Sequence, residues 1–231
     1  MDFELSEEQR AFAHTAREFA LAEFAPHAAR WDAEAVFPKE AITKAGELGF
    51  CGLYAPESIE GLALPRLDAT LVFEEMAAVD PSTTAFITIH NMATWMLGTW
   101  GGPEVRERWG ADLTSGRKLA SYCLTEPGAG SDAGALKTRA ELQGGEYVIN
   151  GGKAFISGAG ATDVLVLMAR TGGGGAGGIS VGILWQGTTA PSVSADTTII
   201  TGNAGAKGPG GVPGVNDGVV GNAKTVLQLS D

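Results

Sequence analysis

Apolar residues recur at helical spacing through the first half of the chain. In the second half they alternate or form short continuous runs. Phe12, Ala16, Phe19, Ala20 and Phe24 make one helical stripe, and Ser6-Glu7-Glu8-Gln9 ahead of it has the form of a capping box. Pro26 kinks or breaks that helix. Phe37-Pro38 opens a second helix, Lys39 to Leu48, which Gly49 stops. Gly52-Leu53-Tyr54-Ala55-Pro56 reads as an irregular crossing. Leu71, Val72, Met76 and Val79 mark a third helix, Asp68 to Val79, and Asp80-Pro81-Ser82 ends it and caps the next. Thr83 to Trp100 is apolar nearly all round, and a helix without a polar face is normally buried. His90 lies inside it, where a satisfied core or pocket histidine is favoured over a catalytic one. Pro103 to Leu113 is a last short, charged helix.

At Ser115-Gly116-Arg117 the period changes to that of strands. Leu119 to Leu124 is a short apolar strand, and Leu136, Thr138, Ala140 and Leu142 alternate as a half-buried strand should. Gly144-Gly145 turns. Tyr147-Val148-Ile149 leads to Asn150-Gly151, a strong hairpin signal, with Lys153 to Ser157 as the returning strand. Val164 to Ala169 reads as a buried strand, and the tract Gly172 to Gly178 as a flexible connector. After Trp185-Gln186 the texture changes again. Residues 187–231 hold no aromatic, nine glycines and five charged residues, so they have little to bury. The pattern predicts an α+β chain: helical residues 1–117, a β region 118–186, and a disordered or frame-shifted tail 187–231.

Charge sharpens this division. The 231 residues carry 16 basic and 27 acidic side chains, net −11. Residues 1–117 hold 9 and 19 of them, net −10, and residues 118–231 hold 7 and 8, net −1. No basic patch suited to phosphate neutralisation is visible, which argues against nucleic acid. An anionic ligand is expected in the second half, where less like charge opposes it. Two cysteines, Cys51 and Cys123, make no disulfide framework, and His14, His27 and His90 are not spaced with cysteines as metal ligands. No run is long enough to cross a bilayer. The first residues show no targeting pattern, so a cytoplasmic location is expected, or the mitochondrial matrix for a processed chain.

Two stretches could carry chemistry. In Thr125-Glu126-Pro127-Gly128-Ala129-Gly130-Ser131-Asp132, free backbone N–H groups can form an anion nest, the glycines admit unusual dihedrals and close approach, and Thr125 and Ser131 add hydroxyls. An ordinary surface turn held by its own Ser and Asp fits as well. Gly128 to Ala133 also matches a dinucleotide fingerprint, but that fingerprint needs a helix after the loop, and a strand pattern follows. The second stretch is Phe155-Ile156-Ser157-Gly158-Ala159-Gly160. On one strand of an antiparallel sheet, Phe155 and Ser157 would share a face and suit a planar, partly polar ring; a core Phe beside an edge Ser is the plain alternative.

Tyr122 to Asp132 resembles the first signature of the acyl-CoA dehydrogenases, and Asn150 to Ser157 resembles that family's second flavin segment. Leu5 to Arg10, Gly49 to Leu53 and Glu74 to Ala77 are similar to the family as well, and the likeness runs to about Ile183. Ile89-His90-Asn91-Met92, Phe155 and Ser157 to Gly160 resemble the isobutyryl-CoA, short branched-chain members. The resemblance implies a helical N-terminal domain, an antiparallel β-barrel-like middle domain and a C-terminal helical bundle. It implies FAD as cofactor, an acyl-CoA substrate, an electron-transfer flavoprotein as electron acceptor, and a homo-oligomer.

Carried over by residue, the resemblance places Tyr122, Cys123, Leu124, Thr125, Gly130, Ser131, Phe155, Ile156 and Ser157 at the flavin. Ser131 would also meet the substrate thioester, and the helix from Ile87 to Leu97 would wall the acyl pocket. The family's later strands of the middle domain and its C-terminal bundle, which bears the catalytic glutamate, find no counterpart in the pattern after Gln186. The catalytic base is therefore unassigned, and Glu126 reads as a loop-stabilising or partner-facing residue. The expectation is a truncated dehydrogenase, inactive alone. A non-enzymatic interaction module is the alternative, and a nicotinamide oxidoreductase a minor one.

Overall fold

Ser6 starts the first helix as the capping-box spacing predicts: its hydroxyl accepts from Gln9 N–H at 3.1 Å, and Gln9 Oε1 accepts from Ser6 N–H at 3.0 Å. The structure, a computed structural model, describes residues 4–143, 146–171, 179–185, 198–201 and 227–228. The chain divides into two compact units, one of residues 1–98 and 109–119, the other of residues 99–108 and 120–231.

The helical unit contains α1 (Glu7–Glu23), α2 (Ala28–Ala33), α3 (Lys39–Glu47), α4 (Arg66–Ala77) and α5 (Pro81–Trp100), and α6 (Pro103–Thr114) follows. The short α2 was not legible in the apolar pattern, because in its six residues only Trp31 is buried. α4 begins two residues earlier than the stripe suggests, directly after Pro65. Phe19, Phe24, Trp31, Ile42, Phe50, Val72, Met76, Phe86 and Ile87 form the shared core. Its aromatic rings meet edge to face, as their quadrupoles favour: Phe19–Phe24 at 5.3 Å and Phe37–Phe86 at 4.8 Å. Each fully buried large side chain contributes roughly 1.5–3 kcal/mol. Gly49, at φ +82°, ends α3 in the left-handed conformation.

The apolar α5 also buries polar groups, each with a partner. Asp80 caps it, accepting from Ser82 N–H at 3.0 Å and from the Thr83 hydroxyl at 2.6 Å. His90 is fully buried with Nε2 2.9 Å from the Leu113 carbonyl oxygen, the satisfied core histidine that the pattern favours. Asn91, also fully buried, donates to Phe50 O at 2.7 Å and to Ile87 O at 3.0 Å, and accepts from Leu53 N–H at 2.8 Å. It thereby ties the irregular crossing after α3 to α5.

The second unit is built on one sheet: β1 (Ala120–Cys123), β2 (Arg139–Gln143), β3 (Glu146–Asn150), β4 (Val164–Arg170), β5 (Ile179–Trp185), β6 (Thr198–Thr201) and β7 (Leu227–Gln228). The order is β3-β2-β4-β5-β6-β7, with β1 also on β4. The sheet is mixed, not purely antiparallel as expected. β5 pairs with β4 along its whole length. β1 pairs with Val164 to Leu167 and β2 with Arg170, both parallel to β4. They therefore share the other edge of β4. The chain runs up that edge, leaves it after Cys123 and rejoins it at Arg139 in the same direction, so both strands are parallel to β4.

The expected hairpin at Asn150-Gly151 is not formed. Gln143 pairs with Glu146, so the reversal falls at 144–145, outside the described residues. Gly151 instead lies against Thr138, where a Cβ would come within 2.3 Å of the threonine hydroxyl. The return strand Lys153 to Ser157 is irregular backbone, so Phe155 and Ser157 do not share a sheet face. The connector Gly172 to Gly178 also lies outside the described residues. Of the tail 187–231, only β6 and β7 are described; β6 pairs with β5 and β7 with β6.

The packing of α5 predicts that Asn91→Ala, which orphans the Leu53 amide and the Phe50 carbonyl, destabilises the chain by about 3 kcal/mol. Denaturant unfolding followed by far-UV circular dichroism checks this, and a change under about 0.5 kcal/mol would contradict the role given to Asn91.

Candidate functional site

The break between β1 and β2 creates the site. Along β1 the side chains alternate, with Ser121 and Cys123 buried and Tyr122 half-buried; Leu124 and Thr125 beyond it are half-buried too. Ser121 donates its hydroxyl to Ser157 O at 2.7 Å and lies 2.8 Å from the Thr162 hydroxyl. Past Thr125 the chain turns tightly. Glu126 N–H donates to Ala129 O at 3.0 Å, and Ala129 N–H donates back to Glu126 O at 3.1 Å. Pro127 and Gly128 form the exposed tip. Neither Gly128 nor Gly130 has a positive φ, so the dihedral freedom expected of them is not used. Both face open space: a Cβ at either would meet nothing within 4 Å. What these glycines provide is room for close approach to the backbone.

Glu126 holds the loop from beneath. Its carboxylate is buried and accepts from Lys137 N–H at 2.5 Å, Thr138 N–H at 2.8 Å and Lys153 Nζ at 2.8 Å. Burial alone would push this carboxyl up. The Lys153 ammonium and the Lys137 and Thr138 amides outweigh it and hold the group down at about 2, against an ordinary 4.5. Of the two readings open for Glu126, the contacts favour loop stabilisation. Arg170 completes the support, donating from its guanidinium to the carbonyls of Leu136, at 2.6 Å, and Gly134.

Lys153 also donates to Leu124 O at 2.9 Å, and Ala154 N–H donates to Thr125 O at 2.9 Å. These bonds bring the two motif stretches together although no strand pairing joins them. Their product is Phe155. Its φ is +56°, rarely adopted by a bulky residue, and its side chain is 93% exposed. A large apolar ring held outward in a strained conformation is a surface prepared for something to cover it. Ile156 is half-buried beside it and Ser157 is exposed.

The predicted site residues thus fall into three groups. Leu124, Thr125, Gly130, Ser131, Phe155, Ile156 and Ser157 are at least partly open and lie on two loops bonded to each other. Tyr122 is half-buried at the end of β1. Cys123 turns its thiol into the interior, where burial pushes it up to about 11, so only its backbone remains to offer a ligand. The supporting roles of Lys153, Thr162 and Arg170 were missed. Lys153 lies within the second motif, and a cation there with an acid in the first is the signal that points to it. After the loop come a three-residue 3-10 turn, Ala133–Ala135, and then β2. The helix that a dinucleotide fingerprint requires is not there.

Comparison with known proteins agrees with this geometry. Residues 6–117 match the acyl-CoA dehydrogenase N-terminal domain, and residues 121–208 match the middle domain of the same enzymes. The chain belongs to the acyl-CoA dehydrogenase family. The second match runs past the composition break at 186. Bovine mitochondrial isobutyryl-CoA dehydrogenase is 48% identical over 184 residues, which are 80% of this chain and 44% of that protein. A solved chain from work on the electron transferring flavoprotein of Acidaminococcus fermentans is 35% identical with a TM-score of 0.75, covering 81% of this chain and 50% of that one. A glutaryl-CoA dehydrogenase from Mycobacterium smegmatis, solved with FADH2, is 25% identical with a TM-score of 0.73, covering 78% and 46%. The chain spans about half the length of the relatives it matches, or less. The family is FAD-dependent, and solved relatives hold the flavin.

The lowered pKa of Glu126 fixes a pH dependence. A carboxyl that titrates lower when folded contributes its stability above the ordinary value of 4.5 and loses it as pH falls toward about 2. Glu126→Gln is expected to cost about 3 kcal/mol at pH 7, since it leaves a buried lysine unpaired, and much less at pH 2. Thermal melts of both proteins across this range check it; an equal gap at both pH values would contradict it.

Proposed function

We propose that this chain is the helical and flavin-holding part of an FAD-dependent acyl-CoA dehydrogenase that acts on a short, branched acyl-CoA thioester. The observation that carries the reading is the pair of bonded loops that presents Phe155 beside Thr125. Identity to the bovine isobutyryl-CoA enzyme supports the branched, short substrate.

When bound, FAD supplies the acceptor for a hydride from the substrate β-carbon. The chain's own residues bind and orient. Phe155 and Ile156 offer apolar contact to a flat ring system, and the hydroxyls of Thr125 and Ser157 offer hydrogen bonds to its heteroatom edge. Tyr122, Leu124, the backbone of Cys123 and the exposed Gly130 complete the proposed flavin contacts. The Ser131 hydroxyl, exposed on that loop, is the candidate partner for the thioester end of the substrate. Such donors stabilise negative charge developing on a thioester oxygen.

No base is found among these residues. Glu126, the carboxylate of the first loop, is held ionised by three donors and is buried away from the open face. A catalytic base must reach its proton. We therefore propose that the described residues of the candidate site supply no base and that the chain does not turn over alone. An electron-transfer flavoprotein as electron acceptor, and assembly into a homo-oligomer, complete the proposal on the strength of family membership. The described residues include no helix long and apolar enough to cross a membrane. The compartment is left between cytoplasm and mitochondrial matrix, since the bovine relative is mitochondrial.

Titration of the purified chain with FAD, followed by flavin fluorescence, tests the reading. The chain is expected to bind FAD, and Phe155→Gly to bind about tenfold more weakly without melting earlier, because glycine relieves the left-handed strain. The loaded chain is expected not to reduce a dye on addition of isobutyryl-CoA. Absence of flavin binding would overturn the reading, and dye reduction would overturn the proposal that the chain does not turn over alone.

A further inference from the structure

Resting on that reading, we infer that Lys153 is a positioning residue for the flavin: its ammonium, bonded to Glu126 and Leu124 of one loop, sets where the next two residues of the other loop place the Phe155 ring. The side chain is only 10% exposed, and its partner Glu126 6%. Lys153 Nζ lies 2.8 Å from Glu126 Oε1 and 2.9 Å from Leu124 O, and Ala154 N–H donates to Thr125 O at 2.9 Å. Consecutive residues of the second loop are thus fixed to three consecutive residues of the first, Leu124, Thr125 and Glu126.

The need for such fixing is visible at the next residue. Phe155 is 93% exposed, so no packing of its own side chain holds it. Its left-handed φ of +56° is disfavoured for a bulky residue, and the chain relaxes from it when its neighbours are released. On the other flank, Ser157 O accepts from Ser121 at 2.7 Å. Between these anchors the aromatic residue spans an arch. Removing the Lys153 anchor leaves the ring attached but no longer preorganised, and binding must then supply the ordering. Glu126 keeps its two amide bonds when Lys153 is replaced, but a neutral replacement leaves its buried carboxylate without a counter-ion. The charge-keeping Lys153→Arg is therefore needed beside Lys153→Met to separate positioning from folding.

The test uses the full chain and FAD as probe. Lys153→Met and Lys153→Arg are compared with the unaltered protein by flavin fluorescence titration, by visible circular dichroism of the bound flavin, and by thermal melting. Lys153→Met is expected to weaken FAD binding by about tenfold or more and to change the flavin dichroic band. Lys153→Arg, which keeps the charge, is expected to restore both within about threefold. Unchanged affinity and dichroism in a folded Lys153→Met protein would overturn the inference while leaving flavin binding intact. If Lys153→Met does not fold, Lys153→Arg decides: native affinity supports positioning by the charge, and a folded Arg variant with the weakened affinity expected of Met overturns it. An unaltered chain that binds no FAD would overturn both this inference and the reading beneath it.

Discussion

A carboxylate taken out of water must be met by charge and hydrogen bonds, and in the sheet unit Glu126 is met by Lys153 and by the Lys137 and Thr138 amides. Those amides stand where the chain prepares to re-enter the sheet as β2. The carboxylate therefore fastens the far end of the first loop to its near end, and the ammonium fastens the second loop to both. Remove this set and the path of 124–138 is held only by the Glu126–Ala129 backbone pair and by Arg170. The geometry of every candidate ligand group, from Thr125 to Ser157, depends on it.

The helical unit shows the same economy with neutral groups. Its longest helix is apolar nearly all round but leaves a partly exposed stripe through Ala85, Thr88, Ile89, Met92 and Trp95, while Asn91 and His90 are fully enclosed within it. Asn91 uses its amide to hold the irregular chain after α3, where no regular ladder could satisfy Phe50 and Leu53. Both units thus use a buried polar side chain to fix an irregular segment against a regular one. In the sheet unit the segment so fixed carries the candidate cofactor groups.

How much of this was legible follows from the range of the interactions. Helices with a cap or a long apolar stripe, such as α1 and α5, could be read because their causes are local. The two motif stretches could be read because their residue types are unusual together. The parallel placement of β1 could not, since nothing in Ala120–Cys123 records which edge of β4 it takes. The Asn150-Gly151 signal misled for a related reason: Gly151 answers to close approach of Thr138, thirteen residues away, and not to a turn. Phe155 was expected on a strand, but its conformation is set by bonds to Leu124, Thr125 and Glu126, which no local pattern encodes. The Glu126–Lys153 pair bridges 27 residues, so the sequence offered only its opposite charges.

If the two loops form one flavin clamp, ligand binding must quiet both of them together. Amide hydrogen exchange of the full chain, with and without FAD, measures this residue by residue. Slower exchange on adding FAD is predicted at Thr125 to Ser131 and at Ala154 to Ser157, with little change in β2 and β3. Protection confined to one loop, or located in the helical unit with neither loop affected, would contradict the clamp.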